Sequence, residues 1–192
     1  MRNYIILFSL FIIWSCSSFT ERIISHSSNY ETKPKWADIT KPMFKKEGKV
    51  YSVGVAEASI NAKVSTLARV ADNNARHEIS RTIVNEMSFI FQNAEEGVTN
   101  SGELARFYGN EFSKHISSGI YQEERYWEKV KTFDEDGAPK YVLKIYSLIS
   151  LKESKLKKAM KYALNHEKGL SKEFKAAVDN HLQGQITKLG QE

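Results

Sequence analysis

Between Ile60 and Ile90 apolar residues recur at steps of three and four: Ile60, Val64, Leu67, Ala71, Ala75, Ile79, Ile83, Met87 and Ile90. A strand cannot keep that period, because its side chains change face at every residue, so the stretch reads as one long amphipathic helix. Ser59 is its expected N-cap and Glu96-Gly97 its expected end. Lys63, Arg69, Asp72, Asn73, Arg76, Glu78 and Arg81 supply the polar faces, while the small Ala68, Ala71 and Ala75 permit close approach to a sheet. Typical helices run to about 11–12 residues, so one this long is expected to kink or to project into a partner.

The sheet has its own signals. Lys49 to Glu57 reads KVYSVGVAE, with Val50, Ser52, Gly54 and Ala56 on one face and Tyr51, Val53 and Val55 on the other. Both faces are therefore expected to be partly covered. Gly54 inside a strand costs stability unless another backbone comes close, and a helix laid across the sheet would explain it. From Thr99 to Ser118, Leu104, Phe107, Tyr108, Phe112 and Ile116 fall at helical spacing; Gly109 weakens that helix and Gly119 ends it. Ile120 to Phe133 and Lys140 to Ile149 alternate in strand fashion around Asp134-Glu135-Asp136-Gly137, which predicts a hairpin with Tyr126, Trp127, Tyr141 and Tyr146 as cross-strand area. Beyond it come Leu151, Leu156, Met160 and Leu164 among lysines, a break at Gly169, and a weaker helix from Leu170 toward Leu189.

The chain opens differently. Arg2 is the only charge before an apolar run from Tyr4 to Trp14, which gives way to Ser15, Cys16, Ser17 and Ser18. A spanning helix needs about 20 apolar residues, so this shorter run reads as a signal peptide. Ile13-Trp14-Ser15-Cys16 resembles the bacterial lipobox. The resemblance implies cleavage after Ser15, acyl chains on the Cys16 thiol and on the new amino terminus, and, with Ser17 next, sorting to the outer membrane. Several chains anchor stably where one would be marginal, at about 0.8 kcal/mol per buried methylene. Trp14 departs from the lipobox, which keeps ordinary signal cleavage and release of a soluble periplasmic module as the alternative. From Ser17 to about Lys33 the chain is Ser, Thr, Asn and charge without a period, and a flexible tether is expected. Pro34-Lys35-Trp36 and Pro42-Met43-Phe44 then place aromatics beside helix breakers, as in an extended segment pinned to a core; Trp36 is expected to pack there, with a binding anchor as the alternative.

The order of these elements resembles a known family. Pro34 and Trp36, Tyr51 to Val55, Ala68-Arg69 through Ala75-Arg76, Tyr126-Trp127 and Tyr141-Val142-Leu143 look like the LPP-twenty type of bacterial lipoprotein, over about residues 34 to 155. The resemblance implies an α+β domain similar to the amino-terminal domain of flagellar-assembly protein T. It carries over no catalytic residue. The expected organisation is then a signal peptide over residues 1–15, lipidated Cys16 and tether over 16–33, an α+β domain over 34–155 and a basic helical tail over 156–192. In that domain a small antiparallel sheet is packed by one long and one or two shorter helices.

Composition narrows the chemistry. One Cys in 192 residues excludes an intramolecular disulfide framework and a Cys-built zinc site, and a net charge of +5 needs no nucleic-acid partner. His26, His77, His115, His166 and His181 have no His-Glu-x-x-His spacing, there is no Gly-x-Ser-x-Gly elbow, and Gly54 stands alone rather than in a phosphate loop. No catalytic residue, no metal and no cofactor is therefore expected. The leading expectation is a non-enzymatic lipoprotein that binds protein partners or itself in an envelope assembly. A third reading is an envelope hydrolase using His77 or Glu123-Glu124 for acid–base work. Asp134-Glu135-Asp136-Gly137 lacks calcium-loop spacing and reads as a solvated turn. Lys152, Lys155, Lys157, Lys158 and Lys161 read as a solvated helix surface, with an anionic lipid or polymer contact as the alternative.

Overall fold

The structure, a computed structural model, describes residues 20–92, 101–166 and 170–188. The protein is α+β. Strands β1 (Arg22–His26), β2 (Met43–Lys46), β3 (Lys49–Ser59), β4 (Ile120–Phe133) and β5 (Pro139–Lys152) form one antiparallel sheet in the order β1-β4-β5-β3-β2. Among the described residues four helices accompany it: α1 (Val64–Gln92), α2 (Ser101–Ile116), α3 (Glu153–His166) and α4 (Lys172–Lys188).

The predicted hairpin forms with its acidic turn. Asp134 Oδ1 accepts the backbone N–H groups of Asp136 and Ala138, and Thr132 to Phe133 pair with Lys140 to Pro139. β5 then runs on past Ile149 to Lys152, lying between β4 and β3 along almost its whole length.

β3 presents the expected face to α1. Val50, Ser52, Gly54 and Ala56 are all buried, and the Ser52 hydroxyl donates to the Ala75 carbonyl at 2.9 Å. At Gly54 the contact is backbone to backbone. A Cβ placed there would lie 2.1 Å from the Ala71 carbonyl oxygen and 2.2 Å from the Ala75 nitrogen, so only glycine lets the helix settle at this height.

Two details of the long helix differ from expectation. Ser59 is not its cap: it pairs with Val142 as the last residue of β3, and Ile60 to Lys63 form a turn before α1 begins at Val64. The ladder to β5 takes the backbone of Ser59 before a helix can. Nor does the distal half of α1 stand clear of the body. Ile79, Ile83 and Met87 are buried with Ala105, Tyr108, Phe112 and Ile116 of α2 in one core cluster. Gly109 of α2 faces Val84 so closely that a Cβ would come 2.2 Å from Val84 Cγ2; the residue that weakens the isolated helix is the one that lets the pair close. The expected end at Glu96-Gly97 falls outside the described residues.

The basic tail is part of the core. Leu156, Ala159, Met160, Ala163 and Leu164 of α3, with Val178, Leu182 and Ile186 of α4, join the same cluster, and Tyr108 donates its hydroxyl to the Met160 carbonyl at 3.2 Å. The lysines of α3 point away from this stripe, which is why their number hides the buried face from a composition reading.

The other correction is at the N-terminal end. Of the expected tether, residues 22–26 form β1, paired with Glu128 to Lys131 of β4, and residues 27–33 are docked on the sheet. Edge pairing supplies the backbone partners that the local sequence lacks.

Two substitutions test this packing in urea unfolding. Gly54→Ala is expected to destabilise by about 3 kcal/mol, because neither backbone atom it meets can move alone. Met160→Ala is expected to cost about 2–5 kcal/mol, whereas a peripheral tail would show almost no loss.

Candidate functional site

The helices cover one face of the sheet, and a strap from the N-terminal segment covers the other. After β1 the chain leaves one edge of the sheet, crosses β4, β5 and β3, and enters β2 at the opposite edge. Ser27 begins the crossing: its N–H donates to the Trp127 carbonyl at 3.0 Å and its hydroxyl accepts the Trp127 N–H at 2.9 Å. Tyr30 then packs edge-on against Tyr126 with ring centroids 5.5 Å apart. Pro34 starts a short 3-10 turn, Lys35–Ala37, whose Ala37 is fully buried against Tyr126 and Tyr146.

Two carboxylates hold the strap. Alternation along β4 sends Glu124, Tyr126 and Glu128 to the strap face. Glu128 is 3% exposed and accepts hydrogen bonds from the hydroxyls of Tyr146 at 2.8 Å and Tyr126 at 3.1 Å. Lys33 reaches down from the strap, donating to the Tyr146 hydroxyl at 2.7 Å and to Glu128 at 3.3 Å. Its ammonium also sits 4.2 Å from the centre of the Tyr146 ring. Glu124 Oε2 receives both the Tyr30 hydroxyl at 2.6 Å and the Trp36 indole N–H at 2.9 Å.

The charges leave a mark on the tyrosines. Burial and then the neighbouring Glu128 push Tyr126 up to about 12; burial, then the hydrogen bond to Glu128, raise Tyr146 further. Tyr30 is likewise pushed up to about 12 by burial and by its bond to Glu124. These phenols are hydrogen-bond donors throughout the ordinary pH range. Their arrangement is a clasp: a neutral donor pair and an ammonium closing on a carboxylate that the strap itself shields from water.

Where the strap meets β2 it leaves an open groove of about 480 Å³ lined by Lys35, Trp36, Asp38, Thr40, Lys41 and Phe44. Phe44 is fixed from behind by stacking on Tyr51 at 5.0 Å. Asp38 Oδ1 accepts the N–H and the hydroxyl of Thr40, at 3.0 and 2.9 Å, and these bonds hold its carboxyl below its ordinary value. Trp36 is thus half-buried, packed on the core by one part and bordering the groove with another.

The residues singled out from the sequence are dispersed. Cys16 lies outside the described residues. His77 is exposed on α1 beside Glu78, whose carboxylate is engaged by Arg81 at 2.7 Å. Glu123 belongs to the far face of the sheet, where it takes Lys49 at 2.7 Å and the Ser150 hydroxyl; those bonds, the Lys49 one first, hold its carboxyl below the usual range. His77 and the Glu123-Glu124 pair are therefore on opposite sides of the sheet and form no joint acid–base site. Of the lysines on α3, Lys157 pairs with Glu153 at 2.6 Å, while Lys155, Lys158 and Lys161 are exposed. Among the described residues no group of three His, Cys, Asp or Glu is placed to hold a metal.

Sequence reasoning missed the strap and Glu128, and it singled out Glu124 only as half of an acid–base pair with Glu123. The pattern Glu124-x-Tyr126-x-Glu128 was available as a polar stripe on one strand face, but nothing local says that Tyr30, Lys33 and Trp36 are its partners. It also missed a stack in which Tyr162 lies between His115 and His166, with ring centroids 3.7 and 3.8 Å away. The chain matches no family model, and no curated protein is significantly similar to it.

Removing the clasp should show in stability. Glu128→Ala is expected to cost about 2–3 kcal/mol in urea unfolding, since it strands two buried hydroxyls and one cation. For the wild-type protein, stability is expected to fall as pH rises. Tyr126 ionises near its ordinary value of 10.0 in the unfolded chain but at about 12 when folded. The unfolded state therefore loses its proton first, and the contribution present below pH 10.0 is lost on the way to about 12. Unfolding midpoints on either side of pH 10.0 measure this.

Proposed function

We propose that this chain is a non-enzymatic envelope lipoprotein, held in the outer membrane by acyl groups on Cys16 and acting as a binding or structural module for protein partners or a second copy. The observation that carries the reading is the placement of the only Cys, where an apolar run meets small residues, just ahead of a strand of the folded body. Arg22 follows Cys16 by six residues, which extend to no more than about 21 Å. An acylated Cys16 would therefore hold the body against the bilayer rather than on a long leash. The α+β fold is of the class implied by the LPP-twenty resemblance, and the dispersal of His77, Glu123 and Glu124 favours binding over hydrolysis.

Trp14 supports a second reading, in which ordinary signal cleavage releases a soluble periplasmic module. Mass spectrometry of the mature amino terminus separates the two. The expected result is a chain beginning at Cys16 with acyl mass. Cys16→Ala is expected to abolish metabolic fatty-acid labelling and to move the protein out of the membrane fraction; unchanged membrane partition would rule out the anchor.

A further inference from the structure

We infer that the crevice between α1 and α2 beside Arg76 is a binding site for a small phosphate monoester, with the Arg76 guanidinium as its anion fork. The inference does not depend on the acylation of Cys16.

Asn73, Arg76, His77 and Ser80 recur at steps of three and four, so they share one side of α1. Ser113 and Ile116 line the crevice from α2, and Ser117 and Ile120 line it where the chain passes into β4, enclosing about 190 Å³. The Ser80 and Ser113 hydroxyls, 2.8 Å apart, tie the two helices together there.

Arg76 gives the crevice its charge. Its side chain is partly buried, and among the described residues no acceptor meets the guanidinium. Asp72, one helical turn earlier, is at the spacing where a carboxylate would pair with it. That carboxylate is taken: Oδ1 accepts the Ser147 hydroxyl at 2.5 Å and Arg125 Nε at 3.3 Å, and Oδ2 accepts a second Arg125 N–H at 2.6 Å. Arg81, further along α1, is held by both oxygens of Glu78 at 2.9 and 2.7 Å. Arg76 is left as a partly desolvated fork with no carboxylate in it, and such a fork matches an oxyanion.

The remaining lining supplies donors. The Asn73 amide and the His77 ring are exposed and uncommitted among the described residues. Either oxygen of the serine pair can be the donor, so Ser113 keeps a hydrogen for a ligand whenever Ser80 donates to it. Ser117 has given its own to the Lys114 carbonyl at 2.9 Å. No carboxylate lines the crevice. Donors set on two helices suit oxygens that point in several directions, as those of a phosphate do, better than the coplanar pair of a carboxylate. A broader hollow on the far side of Ser80 carries the Glu78–Arg81 pair, which places the anion on the Arg76 side.

Size and the apolar wall select the ester. About 190 Å³ amounts to roughly six water volumes, more than a bare phosphate fills and below the about 300–1,000 Å³ of sites for drug-sized ligands. Ile116 and Ile120 would go uncontacted beside an inorganic ion, whereas a short carbon arm covers them. The shared chemistry is then a phosphate monoester on a short arm, whether a free metabolite or the headgroup of a lipid supplies it.

The probe is sn-glycerol 3-phosphate, set against glycerate, which carries a carboxylate on a similar arm, and against inorganic sulfate, which has no arm. Titration calorimetry on the full chain at about 0.15 M salt is expected to show the ester binding, with glycerate and sulfate each roughly fivefold weaker or more. Arg76→Gln is expected to weaken the ester roughly tenfold or more, and His77→Ala, at an exposed position, about threefold. Arg69→Gln removes the same charge from the same helix outside the crevice and is expected to change affinity less than about twofold. Should Arg76→Gln fail to fold, Arg76→Lys keeps the charge without the fork and is expected to lose about fivefold. Phosphatidylcholine vesicles with and without phosphatidic acid separate the sources: retention by the acidic vesicles alone, reversed by glycerol 3-phosphate, assigns the lipid headgroup, and binding of the free ester without retention assigns a soluble one. The proposal is overturned by no binding of the ester up to about 10 mM, by glycerate or sulfate binding as tightly, by a folded Arg76 variant that binds as wild type does, or by an equal loss in Arg69→Gln.

Discussion

β5 is buried on both faces, and the rest of the architecture answers that constraint. Leu143, Ile145, Ile149 and Leu151 point to the helices, while Val142, Tyr146 and Leu148 point the other way, and all are nearly inaccessible. A strand with apolar side chains on two faces needs two covering layers. α1 supplies the first by settling on Gly54, and α2 to α4 extend it. Once those helices are committed to one side, the described chain has only residues 27–42 left to cover the other, and they do so as a strap running from edge to edge.

The two layers are held by different physics. On the helix side the contact is close and apolar, with a few polar ties such as Ser147 to Asp72 at 2.5 Å and Arg125 to Asp72 at 2.6 Å. The strap has too few apolar side chains for that. It relies instead on two carboxylates of β4 and the donors that converge on them, so it is specific to this register: a shift of one residue along β4 would turn Glu124 and Glu128 to the helices.

Much of this was legible where the signal was local. The period of α1, the alternation of β3 and the turn at Asp134-Gly137 each rest on residues within reach of one another, and the glycine in β3 announced the helix above it. The strap was not legible, because Arg22 to Lys33 have neither period nor composition to mark them; their order comes from residues about a hundred positions away. The tail was misread for a related reason. Leu156, Met160 and Leu164 carry a helical stripe, but whether a stripe meets a core or faces water depends on α2, which no window around residue 160 contains. At the candidate site, Trp36 was visible as an anchored aromatic, whereas the partners that orient it, Glu124 and Tyr30, were not.

The strap also sets the order in which the molecule can be completed. Ser27 meets Trp127 across a separation of 100 residues, and β1 pairs with a strand that is followed at once by its own hairpin partner. A chain emerging amino end first, from a ribosome or a pore, exposes Ile23 and Ile24 long before β4 exists to receive them. The hairpin, by contrast, closes locally as soon as β5 is out. Assembly therefore runs against the direction of synthesis, with the earliest residues locking on last, and the interval before they do is when this protein is most open to capture by a chaperone or by the edge of another copy.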